Sequence, residues 1–80
     1  MEKLTLQEEQ AMQAIWQLQG GFVKEILTHL KTDDIPYTTL ASTIRNLEKK
    51  KYVKAVKYAN ANRYEPLITE EAYKATFMNS

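Results

Sequence analysis

The apolar residues of this chain change their spacing once, after Lys51, and that change constrains the fold more than any other feature. Before it they recur three or four positions apart, the period of a helix lying on a core. After it they alternate with polar residues, the period of a strand with one wet face. A chain of 80 residues has material for one core only, so the helical and extended parts must share it. The expected class is α+β, mostly α, in a single domain spanning residues 1–80.

Breakers divide the helical part into three. Thr5-Leu6-Gln7-Glu8 has the spacing of a capping box, which predicts a first helix from about Leu6. Ala11, Met12, Ile15, Trp16 and Leu18 fall on one side of that helix, so Met12 and Trp16 are assigned to the core. Gly20-Gly21, the only glycines, are expected to end it, because glycine accepts the left-handed conformation that follows many helices. Val23, Ile26, Leu27 and Leu30 then fit the i, i+3, i+4, i+7 template of a second helix, with Phe22 in a short extended piece before it. Lys31 to Pro36 reads as a turn in which Asp33 and Asp34 act as turn or capping residues and Pro36 opens a helix. The third helix is predicted from about Tyr37 to Lys50, buried along Leu40, Ile44 and Leu47.

Tyr52 to Tyr58 and, more loosely, Arg63 to Ile68 are rich in β-branched and aromatic residues and read as two strands of a hairpin. Ala59-Asn60-Ala61-Asn62 joins them, and asparagine is the expected bearer of any positive φ there. Pro66 has no N–H and must sit at an edge or a strand end. Thr69 is expected to cap a final helix from Glu70 to about Phe77, after which Met78-Asn79-Ser80 should fray. Three helices, the last two joined by a short turn, followed by a two-stranded β-wing and a short C-terminal helix, describe a winged helix-turn-helix.

Composition narrows the function. The chain has no cysteine, which excludes a disulfide framework, a thiolate metal site and a cysteine nucleophile, and is consistent with a reducing compartment. Apolar runs are too short to span a membrane and the N-terminus lacks a secretory layout, so the cytoplasm is the expected location and no membrane partner is expected. His29 is the only histidine and no set of converging ligands accompanies it, so no metal is expected. Asp33-Asp34 beside a proline suits a cap better than acid–base work, and there is no glycine-rich phosphate loop. No enzymatic activity and no cofactor are expected.

The net charge of +1 conceals a segregation. Residues 1–35 carry −3, residues 36–64 carry +6 and residues 65–80 carry −2. All but one of the charged groups in the middle segment are cations: Arg45, Lys49, Lys50, Lys51, Lys54, Lys57 and Arg63, against Glu48 alone. On the third helix Thr38, Ser42, Arg45 and Lys49 point away from the buried line, with Thr39 and Asn46 flanking them. The major groove of B-DNA is about 12 Å wide and admits one helix. Arginine pairs there with guanine, asparagine with adenine and hydroxyls with either. Base contacts are therefore expected of Thr38, Thr39, Ser42, Arg45 and Asn46. Phosphate contacts are expected of Tyr37, Lys49, Lys50, Lys54, Lys57 and Arg63. The alternative is a winged-helix module that binds another protein through the wing tyrosines Tyr52, Tyr58 and Tyr64.

Particular residues strengthen the first reading. Leu4-Thr5, Glu8, Met12 and Trp16 in the first helix, Tyr37-Thr38-Thr39-Leu40 with Arg45, Leu47 and Lys50-Lys51-Tyr52-Val53 around the third, and Tyr64-Glu65-Pro66-Leu67-Ile68-Thr69 closing the wing resemble the penicillinase-repressor family of bacterial regulators. That family includes methicillin-resistance and copper-responsive repressors, and the resemblance runs from about Leu4 to Tyr73. It implies a transcriptional repressor that binds a palindromic double-stranded operator as a homodimer, with Thr39, Ser42 and Asn46 among the residues facing bases. It also implies, in the antibiotic-responsive branch, a partner sensor protease that cuts a helical dimerisation stretch, which is expected to be absent from residues 1–80. The cysteine motif of the copper branch is missing, so no copper response is expected. Glu9 stands where members carry a large apolar residue and Lys51 where they carry glycine, so first-helix packing and the turn into the wing are the expected points of difference.

Overall fold

Thr5 and Glu8 close the capping box in both directions in the computed structural model, which describes residues 2–30 and 35–77. The threonine Oγ1 accepts from the Glu8 amide at 3.2 Å, and the Glu8 carboxylate accepts from the Thr5 amide at 2.9 Å. This starts α1, Leu6–Leu18. The helix does not wait for the glycines to end: Gln19 already lies in the left-handed region at φ 59°, and Gly20 follows at φ 101°. Gly20 is required for a second reason, since a Cβ there would stand 2.7 Å from the Arg63 guanidinium and 3.0 Å from the Tyr64 carbonyl.

The extended piece at Phe22 forms as β1, Gly21–Phe22, and leads directly into α2, Val23–Leu30. The third helix, α3, spans Tyr37–Lys49, and Pro36 occupies its N-cap position. The hairpin comprises β2, Val53–Tyr58, and β3, Ala61–Pro66, and α4 spans Glu70–Phe77. The roles expected of Asp33, Asp34 and the last three residues lie outside the described residues.

The sheet has three antiparallel strands in the order β1-β3-β2. Gly21 and Phe22 pair with Tyr64 and Arg63, so the wing is fastened at its base to the start of α2. The connection at the wing tip is shorter than the sequence suggests: Lys57 pairs with Asn62 and Tyr58 with Ala61, leaving Ala59-Asn60 as the turn. Positive φ falls on Ala59, at 53°, and not on an asparagine. The ladder decides this, because a two-residue hairpin turn needs positive φ at its first central residue whatever side chain stands there. Pro66 ends β3 opposite Val53, beyond the two positions that β1 covers.

The core gathers one side of each element. Met12, Ile15, Ile26, Ile44, Leu47, Tyr52, Val53 and Tyr73 are the large side chains closed off from solvent, joined by Leu4, Leu40 and Tyr64. Trp16 is partly buried, as its Nε1 reaches outward to donate to the Ile68 carbonyl at 2.8 Å and so pins the chain after the wing to α1. Tyr73 brings α4 onto the same cluster, its ring 5.7 Å from Trp16, 5.8 Å from Tyr52 and 5.0 Å from Phe77. Its hydroxyl donates to Glu9 at 2.6 Å, which gives the acid at that helix position a polar partner in an otherwise apolar contact. Thr69 caps α4, its Oγ1 accepting from the Ala72 amide at 3.0 Å.

Candidate nucleic-acid interface

Leu40, Thr43, Ile44 and Leu47 are the buried residues of α3, and they fix which side of the helix is free. Thr38, Thr39, Ser42, Arg45, Asn46 and Lys49 are all exposed, and Tyr37 is half-exposed at the helix start. The inward turn of Thr43 is tolerated because its hydroxyl donates back to the Thr39 carbonyl at 3.0 Å. The free side therefore offers hydroxyls, one carboxamide, one guanidinium and one ammonium.

The cations expected to meet phosphates divide by their partners. Lys50 is drawn inward, its Nζ 2.7 Å from the Glu8 carboxylate and 3.4 Å from the Lys3 carbonyl. Burial would raise the Glu8 pKa, but the hydrogen bond and charge of Lys50, with the Thr5 donors, outweigh it and hold the carboxyl below its ordinary value. Arg63 bridges Glu65 at 3.0 Å and the Gln19 carbonyl at 3.3 Å, which ties the wing to the end of α1. Lys54 stands 3.8 Å from the same Glu65. Arg45, Lys49, Lys51 and Lys57 face no carboxylate within ion-pair distance among the described residues.

Strand alternation separates the two wing lysines. Val53, Ala55 and Lys57, with their partners Pro66, Tyr64 and Asn62, share the face that rests on the helices. Lys54, Val56 and Tyr58, with Glu65, Arg63 and Ala61, share the other. Lys57 thus stands on the helix side of the wing and Lys54 on the outer side.

Between α2, α3 and the free edge of β3 runs an open groove of about 990 Å³. Tyr37, Ala41 and Arg45 line it from α3, Lys24 and Thr28 from α2, and Asn60 and Asn62 from the wing tip. The last four were not among the expected site residues. Lys24 and Thr28 are four apart on the exposed side of α2, a spacing visible in the sequence, but their nearness to α3 is set by packing. The wing tyrosines do not form the contact surface the alternative requires, since Tyr52 and Tyr64 are 0% and 6% exposed and belong to the core. Only Tyr58 of the three is open, and its ring packs edge-on against Phe22 at 6.1 Å. Among the described residues no group of three or more His, Cys, Asp or Glu side chains is placed to hold a metal, and no helix is long and apolar enough to cross a membrane.

A helix-turn-helix whose second helix leaves a polar, cationic side free, flanked by a hairpin fastened to the same core, defines a winged helix-turn-helix protein. The chain matches the penicillinase repressor family over residues 4–80 and belongs to it. The family consists of DNA-binding transcriptional repressors and not of enzymes. A comparison with curated proteins found no match.

Proposed function

We propose that α3 lies in the major groove of a palindromic double-stranded operator, where Thr38, Thr39, Ser42, Arg45 and Asn46 meet base edges. Tyr37, Lys49, Lys54 and Lys57 contact the flanking phosphates and set the register of the helix without reading sequence. Lys50 and Arg63 support the interface from within, since their cations are engaged by Glu8 and Glu65. A second copy of the chain occupies the other half-site, a sensor protease ends repression, and the cytoplasm is where this takes place.

The observation that carries this reading is the free side of α3: each of the five base-contact candidates is exposed, on a helix whose opposite side is anchored by fully buried Ile44 and Leu47. The test is a gel-shift titration on duplexes recovered from a random pool, repeated at rising salt. Neutralising several phosphates releases counterions, so affinity should fall by orders of magnitude between low and moderate salt. Absence of any shift at low salt, or a flat dependence, would remove the DNA reading and favour a protein partner.

A further inference from the structure

Building on that placement of α3, we propose that the wing tip is a second reading element. Asn60 and Asn62 enter the minor groove beside the helix and select A·T over G·C pairs there. The tip is an uncharged gap in the most basic part of the chain: Tyr58-Ala59-Asn60-Ala61-Asn62 has no ionisable cation, although cations flank it at Lys57 and Arg63. An element that only gripped phosphates would gain from a cation at its most projecting point. Carboxamides suit a base edge, where the direction of a donor matters.

The shape of the tip agrees. All five residues are exposed, and the turn is only Ala59-Asn60. Asn60 stands between Ala59 and Ala61, whose methyl groups leave it clear on both sides. The minor groove is about 6 Å wide, which excludes the body of a hairpin but admits a single side chain carried at its end. Neither carboxamide is engaged by a hydrogen bond to another described residue. Both asparagines line the groove that Tyr37 and Arg45 line from α3, so the tip faces the reading helix across an open gap. A duplex has its major and minor grooves separated by one sugar–phosphate strand, and a helix in one groove with a tip in the next would straddle it. The carboxamide N–H groups then donate to adenine N3 and thymine O2, the acceptors that both A·T orientations present, whereas guanine places its 2-amino group in the way.

The experiment uses the intact chain and a pool-selected duplex, replacing each A·T pair flanking the major-groove site with G·C or with inosine·cytosine. Inosine keeps the major-groove edge of guanine but lacks the 2-amino group, so it isolates the minor groove. At the positions under the tip, G·C should weaken binding roughly five- to tenfold and inosine·cytosine should restore it. Asn60→Ala and Asn62→Ala should bind all three duplexes alike. Tip reading is overturned if the unaltered protein treats the three alike at every flanking position, or if the double alanine variant still discriminates. Duplex binding with no flanking preference leaves the α3 assignment standing and removes only the role of the tip, whereas no duplex binding removes both.

Discussion

Lys51 holds φ at 69°, a conformation in which a Cβ crowds the following carbonyl and which glycine adopts freely. It sits in the tight turn from α3 to β2, where its amide donates to the Glu48 carbonyl at 3.0 Å and the Tyr52 amide to Leu47 at 3.0 Å. Lys51→Gly should therefore raise stability by about 0.5–1 kcal/mol in urea unfolding, the relief of strain exceeding the added freedom of the unfolded chain. One residue earlier the balance reverses. Lys50 and Glu8 are paired with little solvent access, and removing one partner strands the other, so Lys50→Met should cost about 3 kcal/mol by the same measurement. The Glu8 carboxyl titrates below its ordinary value of 4.5 when folded, so its stabilisation is complete above that pH and is lost as pH falls through the lower, folded value. Glu8→Gln should flatten this acid limb of the stability profile, and an unchanged limb would place the acid sensitivity elsewhere.

Elements differ in how much of them the sequence reveals. The capping box, the buried line Leu40, Ile44 and Leu47, and the start of α3 after Pro36 are local patterns and were legible, as was the free side of that helix. The two-residue wing turn was not, because strand register and not composition decides how far the ladder climbs toward the tip. Nor were the long-range ties of the engaged cations: Lys50 meets Glu8 across 42 positions and Arg63 reaches the Gln19 carbonyl across 44, distances over which no spacing rule operates, whereas the Arg63–Glu65 pair lies two residues apart on one strand face. These differences separate the variants at the interface. Lys57→Ala should weaken binding to all duplexes alike and lower the salt slope by about one, whereas Arg63→Ala should leave the slope nearly unchanged while loosening the wing in thermal unfolding. Asn46→Ala should act differently from both, relaxing preference at a single operator position by about 1–3 kcal/mol. If every single-base preference survives that substitution, the register assigned to α3 is wrong.

At the scale of the molecule, the charge that matters for DNA is neither the net value nor the count of basic residues in the cationic stretch. The net of +1 would predict almost no electrostatic attraction, and the seven cations of residues 36–64 would predict a large one. Folding changes the count by closing Lys50 and Arg63 onto carboxylates, while Lys54, more than half exposed and 3.8 Å from Glu65, stays available beside Arg45, Lys49, Lys51 and Lys57. A cation already paired to a carboxylate displaces few counterions from a phosphate, because it must first surrender its partner. The logarithm of the binding constant should thus fall with the logarithm of salt concentration at a slope of about −4.5 per copy bound, where seven available cations would give about −6. Glu65→Gln offers an internal control, since it frees Arg63 from its carboxylate without adding a cation to the chain. Its slope should steepen toward the larger value, measured on the same duplex over the same salt range. A slope that begins near −6 and does not respond to Glu65→Gln would mean that these ion pairs open on binding, and the folded charge pattern would then no longer set the affinity.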